Sequence, residues 1–144
     1  MTRTVPANVV LVDGWPLKDV LKLVGTVTEA KPGRFVKRGA SDAEVQVAGA
    51  GDAVVGVLGY EDSPGLSQPA AITDAYAVDK QVSVLSGNIY SRLELADVGG
   101  ITAGASLYSA ANGKASATVS GRIVAVARSS RADAGPIVGQ LVAA

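Results

Sequence analysis

The sequence predicts a mostly β protein: a compact β-sandwich or β-barrel-like domain with little helix and an extended N-terminal arm. Three observations carry that expectation. Val and Ala dominate an apolar content of 48%, while aromatic residues make up only 4%; Val is β-branched and suits strands. The 17 glycines and 6 prolines punctuate short apolar runs, the spacing of strands and turns rather than of long helices. Charged residues are only 18% of the 144, which favours a packed core over disorder.

The chain opens with a polar, Pro-containing stretch and then the run Val9-Val10-Leu11-Val12. Residues 1–12 read as an arm and 13–144 as one β-rich domain; the four apolar residues could equally be its first strand. Asp13-Gly14 is a turn signal. From Trp15 to Val24 two readings compete. Leu17, Val20, Leu21 and Val24 have the spacing of a helix face that Asp13 could cap, whereas Val20 to Val27 also reads as a strand.

Lys31-Pro32-Gly33-Arg34 predicts a type II turn, because Pro presets φ at the first corner and Gly accepts positive φ at the second. Phe35-Val36-Lys37 then starts a short strand, Ala43 to Val47 gives another, and Gly49 to Asp52 turns the chain. Ala53 to Leu58 is a continuous apolar run expected to be a buried strand, and Glu61 to Gln68 a surface loop.

Ala75 to Leu85 alternates with period two, placing Tyr76, Val78, Val82 and Val84 on one face, with Lys80 among them. This predicts a half-buried strand or tight hairpin. Asn88 to Leu95 sets Ile89, Ser91, Leu93 and Leu95 against Tyr90, Arg92 and Glu94. Gly99-Gly100 breaks that strand. A segment around Ser106-Leu107-Tyr108 follows, then Asn112-Gly113, a hairpin turn. Val119 to Arg128 reads as a strand, Arg131 to Pro136 as a polar loop, and Ile137 to Val142 as the terminal strand. No internal repeat is present.

Function classes narrow by elimination. With neither Cys nor His, Cys/His zinc sites, catalytic thiols, disulfides and Ser-His-Asp arrangements are excluded. Lys+Arg and Asp+Glu are both 13, so the basic footprint of a nucleic-acid binder is missing. No apolar run is long enough to cross a bilayer as a helix. Gly49 to Gly59 lacks the ending of a phosphate loop and precedes a strand, so it reads as a turn and a close-packed strand. The carboxylate pairs Asp42 with Glu44 and Glu61 with Asp62 could suggest glycoside hydrolysis, but neighbours on a surface loop rarely face each other across a substrate. Lys80, after Asp79, could be the modified lysine of a lipoyl- or biotinyl-like carrier domain; the plainer reading is a solvated strand lysine.

Arg128 and Arg131 form a small basic patch suited to an acidic protein surface. Trp15 is a core or interface anchor. In the arm, Arg3, Val5, Pro6 and Val9 are candidate contacts to a neighbouring subunit or partner, with Arg3 offering a fixed charge.

Taken in order, several segments resemble one family. Leu21 to Val36 (LKLVGTVTEAKPGRFV), Val54 to Glu61 (VVGVLGYE), Ile101 to Tyr108 (ITAGASLY) with Asn112-Gly113-Lys114, and Gly121 to Ala127 (GRIVAVA) are similar to capsid decoration, or cement, proteins of tailed double-stranded DNA bacteriophages. The resemblance implies a protein made in the host cytoplasm that binds the outer surface of the expanded head as homotrimers. Its partners would be the major capsid protein and itself, and it would stabilise the shell against internal DNA pressure. It implies no enzymatic activity, no cofactor, no small-molecule substrate, no direct nucleic-acid contact and no membrane. The rival readings are the Lys80 carrier domain and a cellular β-sandwich binding module.

Overall fold

A computed structural model of the chain describes residues 11–13, 17–26, 28–60 and 68–142. The strands form two small barrels. The first closes in the order β2 (Leu17–Leu23), β4 (Glu44–Val47), β3 (Phe35–Arg38), β5 (Gly56–Leu58) and β6 (Gln81–Ser86). Its pairings are antiparallel except β2 with β4, which match Lys22 to Glu44 and Leu23 to Val45 in parallel. The second runs β7 (Tyr90–Leu95), β11 (Gly135–Leu141), β10 (Ala125–Ala127), β8 (Ser106–Ser109) and β9 (Ala115–Ser116). A parallel contact of Leu95 with Ala115 shuts this ring, and β1 (Leu11–Asp13) adds to the outside of β7. Closure removes the unpaired edges that an open sheet would expose. The expected fold class is thereby met, in its barrel form; the helical content among the described residues is one 3₁₀ turn, Ala111–Gly113.

Side-chain alternation explains how the barrels join. Leu21, Leu23, Val36, Val45, Leu58, Val82 and Val84 fill the first barrel, with Ala30 and Tyr76. Their strand neighbours Phe35, Val57 and Leu85 form one cross-strand rung pointing the other way. That rung belongs to the second core, with Ile89, Leu93, Leu95, Leu107, Ile137 and Leu141. The sheet β3-β5-β6 is thus buried on both faces. Each such side chain contributes about 1.5–3 kcal/mol on burial, so the barrels stabilise each other.

The local turn signals are realised. The Arg34 amide donates to the Lys31 carbonyl at 3.2 Å, with Gly33 at φ +83°. Asn112 and Gly113 both have positive φ, 62° and 69°, the primed geometry that matches strand twist, and they connect β8 to β9. β7 alternates as expected: Ile89, Ser91, Leu93 and Leu95 are buried, while Tyr90, Arg92 and Glu94 are half-buried.

Several expectations need correction. The helix reading of Trp15 to Val24 is overturned, since β2 runs from Leu17 and leaves Leu17 68% and Val20 49% exposed. A helix face would have buried them beside Leu21. The strand expected over Ala53 to Leu58 is confined to Gly56–Leu58. The one expected over Ala75 to Leu85 starts only at Gln81, because the chain turns at Asp79 with φ 61° and leaves Val78 exposed. In Val119 to Arg128 only Ala125–Ala127 is strand; Val119 is 75% exposed. The expected loop Arg131 to Pro136 is shorter, as β11 begins at Gly135 and Arg131 bridges to Ile101. Of the loop expected at Glu61 to Gln68, residues 61–67 lie outside the described residues. So do residues 1–10; the position expected to divide arm from domain falls inside β1, where Leu11 pairs with Ser91 and Asp13 with Tyr90.

Candidate interaction surface

The two barrels meet along a seam, and the seam opens as a cleft of about 290 Å³. Leu17, Val54, Gly56 and Ser86 line it from the first barrel, and Val124, Leu141 and Val142 from the second. Arg122 crosses it, its Nη2 donating to the Val54 carbonyl at 2.9 Å. Leu141 and Val142 also line an adjoining groove with Asn88, Val126, Arg128 and Gln140. The two depressions therefore make one surface, lined in part by the exposed side chains of Leu17 and Val142.

β10 and its flanks organise that surface through period two. Arg122, Val124, Val126 and Arg128 line the two depressions, with Val124 itself buried in the second core beside Ala125 and Ala127. Arg128 is held in place: its Nε and Nη2 both donate to Gln140 Oε1, at 2.9 and 2.6 Å. Gln140 in turn donates through Nε2 to Asn88 Oδ1 at 2.7 Å.

Arg131 is not part of this surface. Its Nε donates to the Ala134 carbonyl at 3.1 Å and pairs with Asp133 Oδ1 at 3.0 Å, and its guanidinium lies over Gly135. The basic patch expected from Arg128 and Arg131 is thus divided between a cleft and a self-contained loop. Arg3, Val5, Pro6, Val9 and Trp15 lie outside the described residues. Arg122, Leu17, Gln140 and Val142 were not singled out from the sequence. Alternation of Arg122, Val124, Val126 and Arg128 was the available signal.

A second, polar groove of about 400 Å³ lies where the first barrel meets the Asn112-Gly113 turn, lined by Thr26, Thr28, Lys37, Gln46 and Asp52 among others. Lys37 Nζ pairs with Asp52 Oδ2 at 2.8 Å, and the Gly49 amide donates to the same oxygen at 2.7 Å. These two bonds hold the Asp52 carboxyl below its ordinary pKa, against the opposing effect of burial. At Glu29, burial pushes the pKa up, but the Arg34 hydrogen bond and the charges of Arg34, Lys31 and Lys114 outweigh it, and the net direction is down. Every charged side chain of this groove serves the fold's own bonding.

The other chemical candidates are not assembled. Asp42 sits on the β3–β4 turn and Glu44 opens β4, paired in register with Lys22; Glu61 and Asp62 lie outside the described residues. Lys80 is exposed, and its carbonyl accepts from the Leu23 amide at 2.9 Å, which ties it to the end of β2. It does not crown a tight hairpin. Among the described residues no cluster of acidic residues is placed to hold a metal ion, and no helix is long and apolar enough to cross a membrane.

No family model matches the chain, and no curated protein matches its sequence. Among solved structures, the fold is similar to that of the N base of the head fiber protein gp8.5 of bacteriophage phi29. The TM-score is 0.51 at 9% identity, over 89% of this chain and 95% of that one. At that identity the likeness is one of fold.

Proposed function

We propose that this chain is a structural protein of a tailed-phage head: a decoration, or cement, protein that sits on the outer surface of the expanded shell as homotrimers and stabilises it against the pressure of packaged DNA. The observation that carries the reading is the fold likeness to a head-fibre base, which spans nearly the whole of both chains. The ordered resemblance of four sequence segments to decoration proteins supports the same assignment. In this reading the partners are the major capsid protein and further copies of the chain. The protein performs no catalysis, carries no cofactor, takes no small-molecule substrate and touches neither nucleic acid nor membrane directly.

The test is addition of the purified protein to expanded heads that lack it. Co-sedimentation at saturating stoichiometry, exterior density by cryo-electron microscopy and a higher temperature of DNA release support the reading. Failure to bind expanded heads, or density inside the shell, removes it. The carrier alternative is decided separately by the intact mass of the protein from its source, where a covalent adduct on Lys80 would favour it.

A further inference from the structure

We infer that the seam cleft is the docking surface for an extended apolar protein segment that carries a carboxylate at each end. The inference deepens the head-surface reading, on which it rests for the segment's owner: the shell protein beneath the chain.

Four observations lead there. The lining between the arginines is apolar, with Leu17, Val54, Val124, Val126, Leu141 and Val142. Leu17 and Val142 are 68% and 46% exposed, so solvent reaches apolar surface that a partner would cover. Both charged residues of the lining are arginines, Arg122 and Arg128, and no acidic residue lines either depression among the described residues. Neither arginine forms a salt bridge with a described carboxylate, although Lys22, Lys31, Arg34, Lys37 and Arg131 each do.

The chemistry of the occupant follows from complementarity. Arg122 and Arg128 stand six residues apart along one chain, a separation of at most about 20 Å at strand rise. A segment lying along β10 would meet both with side chains about six positions apart. Arg128 is already oriented by Gln140, and its fork is satisfied by a neutral amide oxygen that a carboxylate can replace with a stronger, charge-assisted bond. Arg122 spends one donor on Val54 and keeps the rest. Burial of the apolar stretch supplies the affinity, and the two arginines supply register and rejection of basic segments.

The probe is the heptapeptide Glu-Thr-Val-Thr-Val-Thr-Glu, whose two Glu and two Val side chains share one face when extended, titrated into the ¹⁵N-labelled full chain beside versions ending in Gln and in Lys. Amide shifts centred on Val124, Val126, Gln140 and Val142, with affinity falling from Glu to Gln to Lys ends, are the expected result. Arg122→Gln with Arg128→Gln should weaken the Glu-ended peptide about tenfold, each rim pair being worth up to about 1 kcal/mol. Because Arg122 also bonds Val54, Arg128→Gln alone serves as the variant that leaves the seam intact, with a loss of about threefold. Absence of shifts at millimolar peptide, shifts elsewhere on the molecule, or equal affinity for the three peptides overturns the inference. Binding of the unmodified protein to expanded heads is measured in parallel. If heads are not bound, the head-surface reading fails whatever the peptides do; if heads are bound and the peptides are not, the docking surface fails alone.

Discussion

Arg34 Nη1 donates to the main-chain carbonyl of Asn112 at 2.8 Å, a bond between the first barrel and the hairpin turn of the second. The same nitrogen donates to Glu29 Oε2 at 2.9 Å, and the Arg34 side chain is almost fully buried while Glu29 remains partly exposed. One guanidinium therefore fixes the relative placement of the two barrels at this corner. Arg34→Ala should cost about 1.5–3 kcal/mol, the range for hydrogen bonds to a charged group, since Glu29 can still hydrate once its partner is gone. Urea denaturation checks this, and a loss below 0.5 kcal/mol on the same scale would show that the apolar rung alone holds the corner.

The turn that receives this bond makes its own demand on sequence. Gly113 has φ +69°, and a Cβ there would lie 2.7 Å from the Phe35 carbonyl oxygen, a backbone atom that cannot step aside. Gly113→Ala therefore suffers both the left-handed penalty, about 1–2 kcal/mol, and a clash across the barrel interface. Asn112 shares the positive φ but is a residue that tolerates it, so Asn112→Gly should be close to neutral. Thermal melts of the pair should separate clearly, with Gly113→Ala the lower.

Acid should weaken the same region first. The Glu29 and Asp52 carboxyls are both held below their ordinary values of 4.5 and 3.8. A depressed folded-state pKa means that the unfolded chain binds more protons in that range, so the stability these groups add is present above the ordinary values and lost as pH falls through the folded ones. Unfolding free energy should decline from about pH 4.5 downward, and the variant carrying Glu29→Gln and Asp52→Asn should show a shallower decline. An identical slope for the variant would assign acid sensitivity to other carboxylates.

These features differ in how visible they are in the sequence, and the difference is physical. The Pro32-Gly33 and Asn112-Gly113 turns are dictated by backbone dihedrals of a few adjacent residues, and β7 by simple alternation, so local pattern suffices. β5 and β6 are legible as strands, but their bounds and their two buried faces are not. Val57 and Leu58, or Val84 and Leu85, are buried together because two barrels cover opposite faces, which no single period encodes. Leu17 and Val20 read as half of a helix stripe because apolar residues on an exposed strand obey no core-facing rule. The surface followed the same division: Arg128 stands out as a charge in a Val-rich run, whereas Arg122 gains its place only when Val54, from far earlier in the chain, is brought beneath it.

Within the described residues β1 pairs Leu11 with Ser91 and Asp13 with Tyr90, and both barrel cores are built from residues of Leu21 onward. Removing the first six residues, with Arg3, Val5 and Pro6 among them, should leave both barrels folded, with a melting temperature within a few degrees of the intact chain. On heads the two proteins should part. If the arm reaches a neighbouring subunit or the shell, as the reading of the N-terminal sequence expects, the truncated protein should be released from expanded heads at lower temperature and lower salt than the intact one, because Arg3 would contribute a salt-sensitive contact. Equal retention under heat and salt would reduce the first six residues to a tail and leave attachment to the barrels alone.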